Sequence, residues 1–471
     1  MNSIATSIPE DKTSKSQPVR ILRIIFVAMM VASAIGLGSL SWKTSLDAAS
    51  FETEYNIKDN NLAERRVGLN SYLIIGYGLY AILGAIAVTQ WKSSEVSIVR
   101  WWMLFPALFW LWCGLSFLWS VDPSLSMRRI GHFYMALAGG IGLAVLLRSE
   151  ESIWAIIVAI ATLIILGFVA ELSLGTFRPW RSNYRHCGLG HPNETGLFAS
   201  IMVLASRVGM FSASGRIGPG KNALWRLCFG LFLFGVYVIL IAKSRTTLAS
   251  MIVALVFFEL FVSKPTRALV IMGFGAIGVA AIGLFLGVVR SSMVSTIFGI
   301  ATIGRSSHVG TLTGRVPLWT EILKDVDREP MLGHGYGAYW TTKRVENFAR
   351  ILYWEPPNGH SIYIDCLVEL GWIGLILMLL FLVVVLISSL ASYFKRGNRI
   401  VLFCVSVVLM AMIHGLTEAS FFKGTFGPMI LAFAVFSSAG QQTDSEQRDE
   451  AEQKDLNNES KPKPTTNDGS I

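Results

Sequence analysis

"EPPNGHSIYIDCLVELGWIGLILMLLFLVVVLI", residues 355–387, decides the fold. Pro356, Pro357, Asn358 and Gly359 break any preceding structure, and from Leu370 to Ile387 no charged residue interrupts the apolar run. A bilayer core of about 30 Å is crossed by roughly 20 apolar helical residues, and this run has that length. Similar runs recur along the chain, at 22–42, 69–90, 101–119, 130–147, 152–171, 195–211, 226–242, 246–263, 268–288, 362–391, 400–416 and 424–438. Hydrophobic residues make up 53% of the 471 residues and charged ones 15%, with a mean hydropathy of +0.53. These values exclude a soluble enzyme or a nucleic-acid-binding module. The sequence predicts an all-α, polytopic membrane protein of about twelve transmembrane helices, with a long extracytoplasmic loop before the tenth.

Topology follows from the short loops. Lys92 and Arg100, Arg148, Arg216 with Lys221 and Arg226, Lys264 with Arg267, and Lys395, Arg396 and Arg399 share one side with the basic leader, which makes that side cytoplasmic. The expected organisation is a cytoplasmic leader (1–21), a membrane domain (22–438) with an extracytoplasmic loop at 289–361, and a disordered cytoplasmic tail (439–471), polar and poor in aromatics. Both termini are then cytoplasmic in a multi-pass protein of the cytoplasmic membrane. "VASA" at 31–34 looks like a leader cleavage site, but the apolar run continues through "IGLGSL", which favours an uncleaved anchor. Cys113, Cys228 and Cys404 fall inside apolar runs, Cys366 opens one and Cys187 lies in a loop, so no disulfide framework is implied.

The opposite face receives 43–68, 172–194, 243–245, 289–361 and "TEASFFKGTF" (417–426). Arg178, Arg181, Arg185, Lys243 and Arg245 sit there in short loops where topology does not call for them. A lone interfacial cation usually snorkels. Several on one face instead suggest guanidinium groups that fork onto phosphate oxygens.

Within the long loop, Arg315 precedes an amphipathic helix with Val316, Leu318, Trp319, Ile322 and Leu323 on its apolar side. "GHGYG" (333–337) is a weak phosphate cradle, because no strand-turn-helix context surrounds it. Asp325 and Asp327, flanked by Lys324 and Arg328, read as a solvated helix face and not as a metal pair. His186, Cys187 and His191 in "YRHCGLGHPNETG" match no standard zinc spacing. No metal site and no cofactor are expected. Arg181, Arg185, His186 and His191 remain candidates for binding an acidic ligand. His360 is delivered at the outer mouth of a helix, and Ser361, Asp365 and Glu369 follow at steps of four, a polar stripe that must face a protein interior or a wet cavity. A neutral imidazole at such a mouth can act as a base.

"LTGRVPLW", "REPMLGHGYGAYW" and "NGHSIYIDCLVELGWIG", in that order and supported by "WSVDPSLSMRR", "GHPNETG" and "KSRTTLA", resemble the O-antigen ligase and polymerase superfamily, closer in look to its exopolysaccharide polymerases than to its ligases. The resemblance covers most of residues 100–440. It implies a metal-independent glycosyl transfer from a polyprenyl-diphosphate-linked oligosaccharide to a glycan or lipid acceptor, at the outer face, in contact with membrane lipid and polysaccharide assembly machinery. It further implies that His360 engages the acceptor hydroxyl, that Arg245 and Arg315 hold the diphosphate, and that Lys243, Trp319, Asp365 and Glu369 are further candidates for the substrate site. Trp319, Tyr336, Tyr339, Trp340, Tyr353 and Trp354 are candidates to stack on sugar rings. The family pattern reads His-Asn at the helix mouth; here Ser361 replaces the Asn. Two rival readings follow from the same residues: a transporter of the lipid-linked sugar, or a catalytically idle assembly partner.

Overall fold

In the computed structural model, residues 17–39, 70–91, 100–181, 184–214, 221–262 and 315–440 are described. The expected segment at 268–288, the first part of the long loop, the start of the leader and the tail lie outside them. Among the described residues the chain is helical, with no strand. The helices are α1 (Gln17–Ser39), α2 (Asn70–Trp91), α3 (Leu104–Leu115, flanked by short 3-10 turns), α4 (Pro123–Leu146), α5 (Ser149–Ser173), α6 (Pro192–Ser214), α7 (Lys221–Ala242), α8 (Arg245–Val262), α9 (Arg315–Val326), α10 (Thr342–Leu352), α11 (Ile362–Arg396), α12 (Arg399–His414) and α13 (Phe426–Gly440). Eight of these spans are long and apolar enough to cross a membrane, and three shorter apolar helices accompany them.

Caps set the boundaries. Asp122 accepts from the Leu125 N–H at 3.0 Å with Pro123 behind it, starting α4. Gly397, left-handed at φ 67°, ends α11, and the Asn398 side chain accepts from the Ile400 N–H to start α12. Helix α6 is the central element, packed against α5, α7, α8 and α12, and Ala199, Ile201 and Met202 on it are buried. Helix α4 presses on α13 so closely that a Cβ on Gly140 would lie 2.2 Å from the Met429 carbonyl oxygen. Ile376 and Ile387 leave half or more of their surface exposed on α11, as a lipid-facing side does.

Two ends of the bundle differ in chemistry. At one, Arg20 and Arg23 each reach the buried Glu151 at 2.6 Å, and Arg207 forks onto Glu259 at 2.5 and 2.8 Å. At the other, α9 and α10 form a cap with its own small core of Leu318, Ile322, Val326, Trp340 and Phe348 against Leu367 and Val368 of α11.

Helix α11 is not one rod. Gly371 is non-helical at φ 69° and ψ −172°, and the loop before α10 threads into the break. The Trp372 N–H donates to the Pro330 carbonyl at 2.8 Å, the Gly335 N–H to the Glu369 carbonyl at 2.7 Å and the His334 N–H to the Val368 carbonyl at 3.1 Å. A Cβ at Gly371 would stand 2.1 Å from the Met331 oxygen, so the contact requires glycine. Residues 333–340 are buried by this insertion. "GHGYG" is therefore a wedge and not an open cradle. Tyr336, Tyr339 and Trp340, expected to stack on sugars, are buried in the wedge and cannot, because they were needed to fill it. Tyr353 remains 76% exposed.

Candidate active site

The site is built where four described connections and the first turn of α9 meet at the capped end. The loop between α5 and α6 is drawn in by Glu171, whose carboxylate accepts from the N–H groups of Cys187 at 2.8 Å and Gly188 at 3.0 Å and from the Tyr184 hydroxyl at 2.5 Å. His186 is buried beside it, Nδ1 lying 3.1 Å from the same carboxylate, with its ring stacked on Phe168. Its role is to hold the loop. The loop then zips onto the end of α7: the His186 N–H donates to the Ile241 carbonyl at 3.0 Å and the Arg185 guanidinium to the Ala242 carbonyl at 3.0 Å.

From this platform a chain of polar contacts runs across the bundle. Arg185 donates to the Asn193 side-chain oxygen at 2.8 Å, and the Asn193 amide donates to Glu418 at 2.7 Å. Arg315, at the first turn of α9, donates to the same Glu418 oxygen. His360 Nδ1 stands 3.6 Å from the other oxygen. That gap is too long for a hydrogen bond, and Nδ1 is buried without a hydrogen-bond partner among the described residues. His360 is held at φ 50°, a strained conformation for a residue with a Cβ. Its N–H donates to the Asn358 side chain at 2.9 Å, and the carbonyl of Gly359 before it accepts from the Trp319 indole at 2.7 Å. Ser361 caps α11 and donates to the Gly415 carbonyl at 3.2 Å, which seats the helix mouth against the end of α12. Arg245 opens α8, and its neighbour Thr246 meets Thr417 at 2.7 Å, one residue from Glu418. Lys243 makes the tight α7–α8 turn at φ 50°.

Burial alone would raise the Glu418 carboxyl, but His360 and the Arg315 charge outweigh it and hold the group at about 2. It is a carboxylate at any physiological pH. His191 sits just before α6, its imidazole pushed down by desolvation and then by Arg185.

The polar stripe of α11 goes elsewhere. Asp365 accepts from the Trp340 indole and the Gly359 N–H, both at 2.9 Å, and Glu369 accepts from the Gly337 N–H at 2.8 Å. Lys423 closes the pair, 3.0 Å from Asp365 and 2.8 Å from Glu369. A cavity of about 20 Å³ beside them has room for one water. The structure thus brings together Arg185, Arg315 and His360, with Lys243, Arg245 and His191 at the same end; Trp319 supports the mouth, His186 is structural, and Arg181 is exposed without a polar side-chain partner among the described residues. Among those residues no three His, Cys, Asp or Glu side chains converge as a metal site requires. Sequence reasoning missed Glu418 and Lys423, both in "TEASFFKGTF". The available signal was charge: a face rich in cations needs an acid, and Glu418 is the acid of that short connection.

Residues 230–379 match the family model described as O-Antigen ligase. This span carries Arg245, Arg315 and His360. Over this span the chain is similar to the O-antigen ligase family. It is also 27% identical over 325 residues to the exopolysaccharide production protein ExoQ of Rhizobium meliloti (strain 1021), across 64% of this chain and 69% of that protein. Arg185, Asn193 and Glu418 fall outside the 230–379 match, and only the folded chain brings them to His360.

Proposed function

We propose that the protein is a metal-independent glycosyltransferase that polymerises polyprenyl-diphosphate-linked oligosaccharide units at the outer face of the cytoplasmic membrane. The observation that carries this reading is the meeting of His360 with Arg315 and Arg185 around one buried carboxylate. An acceptor hydroxyl attacks the anomeric carbon, the bond from that carbon to the phosphate oxygen breaks, and the electron pair leaves with the polyprenyl diphosphate. Arg315 and Arg245 stabilise the charge that grows there, as guanidinium forks do in a site partly shielded from water. His360 takes the hydroxyl proton. Arg185, Lys243, Arg245 and Arg315 gather at one end of the bundle, which supports an enzyme over a transporter.

Polymerase is preferred to ligase because the Rhizobium meliloti relative is an exopolysaccharide production protein. The family model's own description, O-Antigen ligase, favours the alternative transfer to a different acceptor. Purified protein supplied with a single defined lipid-linked donor separates them. Products of two or more repeat units on the lipid are expected, in the presence of EDTA. Transfer only when a second acceptor is added indicates a ligase, and dependence on added magnesium removes the metal-independent mechanism.

A further inference from the structure

On the glycosyl-transfer reading given above, we propose that Glu418 is the positioning residue of the site, presenting His360 in the tautomer that accepts the proton and holding Arg315 in register with it. Glu418 lies in the connection between α12 and α13, and its side chain keeps 7% of its surface exposed. Its two oxygens divide their work. Oε1 receives Arg315 and Asn193, and Oε2 faces His360 Nδ1. A carboxylate facing Nδ1 favours the proton on that nitrogen and leaves the Nε2 lone pair for the acceptor. His360 Nδ1 is buried, so the 18% of the side chain that remains exposed belongs to the rest of the residue. When Nε2 takes a proton the imidazolium that forms is stabilised by the same carboxylate. Catalytic hydrogen bonds are often long without substrate and tighten in the reacting complex, which fits the 3.6 Å separation.

The carboxylate does not consume Arg315. A guanidinium has five N–H donors, and the contact with Glu418 takes one of them, leaving others for phosphate oxygens. Repulsion between Glu418 and a bound diphosphate is offset by the cations Arg185, Lys243, Arg245 and Arg315, which lie at this end. The rival explanation of the same contacts is a carboxylate that merely occupies the phosphate position in the empty site. The two part ways on replacement by glutamine. An amide keeps an oxygen for Arg315 and Asn193 but turns a donor toward His360, which selects the wrong tautomer.

The experiment uses the full chain in lipid nanodiscs with a polyprenyl-diphosphate-linked oligosaccharide, comparing wild type, Glu418→Gln and Glu418→Asp for kcat, donor KM and melting temperature. Glu418→Gln is expected to stay folded with a modestly lower melting temperature, to keep donor KM within about threefold, and to lose roughly 10²–10⁴ in kcat, the scale seen when a histidine loses its orienting carboxylate. Glu418→Asp is expected to regain part of kcat. Three results overturn the assignment: wild-type kcat in Glu418→Gln; a lower donor KM with unchanged kcat, as a phosphate stand-in requires; or a parallel loss of melting temperature, KM and kcat without rescue by Asp, as a structural staple requires. Failure of wild type itself to transfer from this donor is a different result, which removes the glycosyl-transfer reading and this assignment with it.

Discussion

Two carboxylate clusters lie at the same end of the bundle and are built for opposite purposes. Asp365 and Glu369 share Lys423, and between them accept from an indole and two backbone N–H groups. Glu418 is surrounded by Arg315, Asn193 and His360, and leaves the Nδ1 nitrogen of a backbone-strained histidine without a hydrogen bond. The first cluster joins the helix mouth, the wedge loop and the α12–α13 connection, and its two acids are nearly enclosed. The second gathers Arg315, and Arg185 through Asn193, around Glu418. Ionisable groups inside a membrane bundle are expensive to keep. Where they are satisfied by one another they serve the fold, and where one is left incomplete it is a candidate for chemistry.

The largest expected effect comes from the closed cluster. Lys423→Met leaves two buried carboxylates, at 4% and 2% side-chain exposure, without a cation, and breaking a buried pair from one side costs about 3–5 kcal/mol. Loss of monodisperse protein on gel filtration, or a large fall in melting temperature, is expected. A stable but inactive Lys423→Met protein would move this cluster to the chemical side of the comparison. Next in size is His360→Ala, which is expected to leave the protein folded and able to bind donor while transfer falls about 100-fold or more. His360→Gln separates holding from proton transfer, since an amide holds a hydroxyl but takes no proton near neutral pH. Full transfer in the Gln variant reduces His360 to a positioning group, and full transfer in the Ala variant ends its catalytic role.

Much of this contrast was legible in the sequence, and the illegible part has a physical reason. Apolar runs of bilayer length mark the spans because lipid leaves the backbone no alternative to helix. His360 is marked by the breakers ahead of it, and the cations of Arg185, Lys243 and Arg245 by their defiance of the charge bias. What the stripe Ser361, Asp365 and Glu369 faces was not legible, since spacing reports a shared side and not the partner on it. Lys423 decides that question from 54 residues away. The break at Gly371 was also hidden, because a glycine inside an apolar run reads as an ordinary packing residue until a loop is found threaded into the helix. Glu418 is 225 residues from Asn193 and 103 from Arg315, distances over which no local pattern speaks.

The smallest effect, and the one that tests the open cluster most directly, is its response to acid. Glu418 is held down at about 2 against an ordinary value of 4.5. A carboxyl depressed in the folded state contributes stability that is fully present above 4.5 and is lost as pH falls through 2. The difference in melting temperature between wild type and Glu418→Gln is therefore expected to stay constant from pH 7 to about 4.5, then shrink and vanish near pH 2, because below that point wild type carries a neutral acid in place of the neutral amide. The change is modest and must be read as a difference between two proteins and not from the wild-type curve alone, because His191 beside Glu418 also titrates in this range. If the difference is already gone at pH 4, the carboxyl is not held down, and Arg315 and His360 do not engage it as tightly as the folded arrangement implies. If it persists unchanged at pH 2, the substitution acts through shape, and the open cluster is structural like its neighbour.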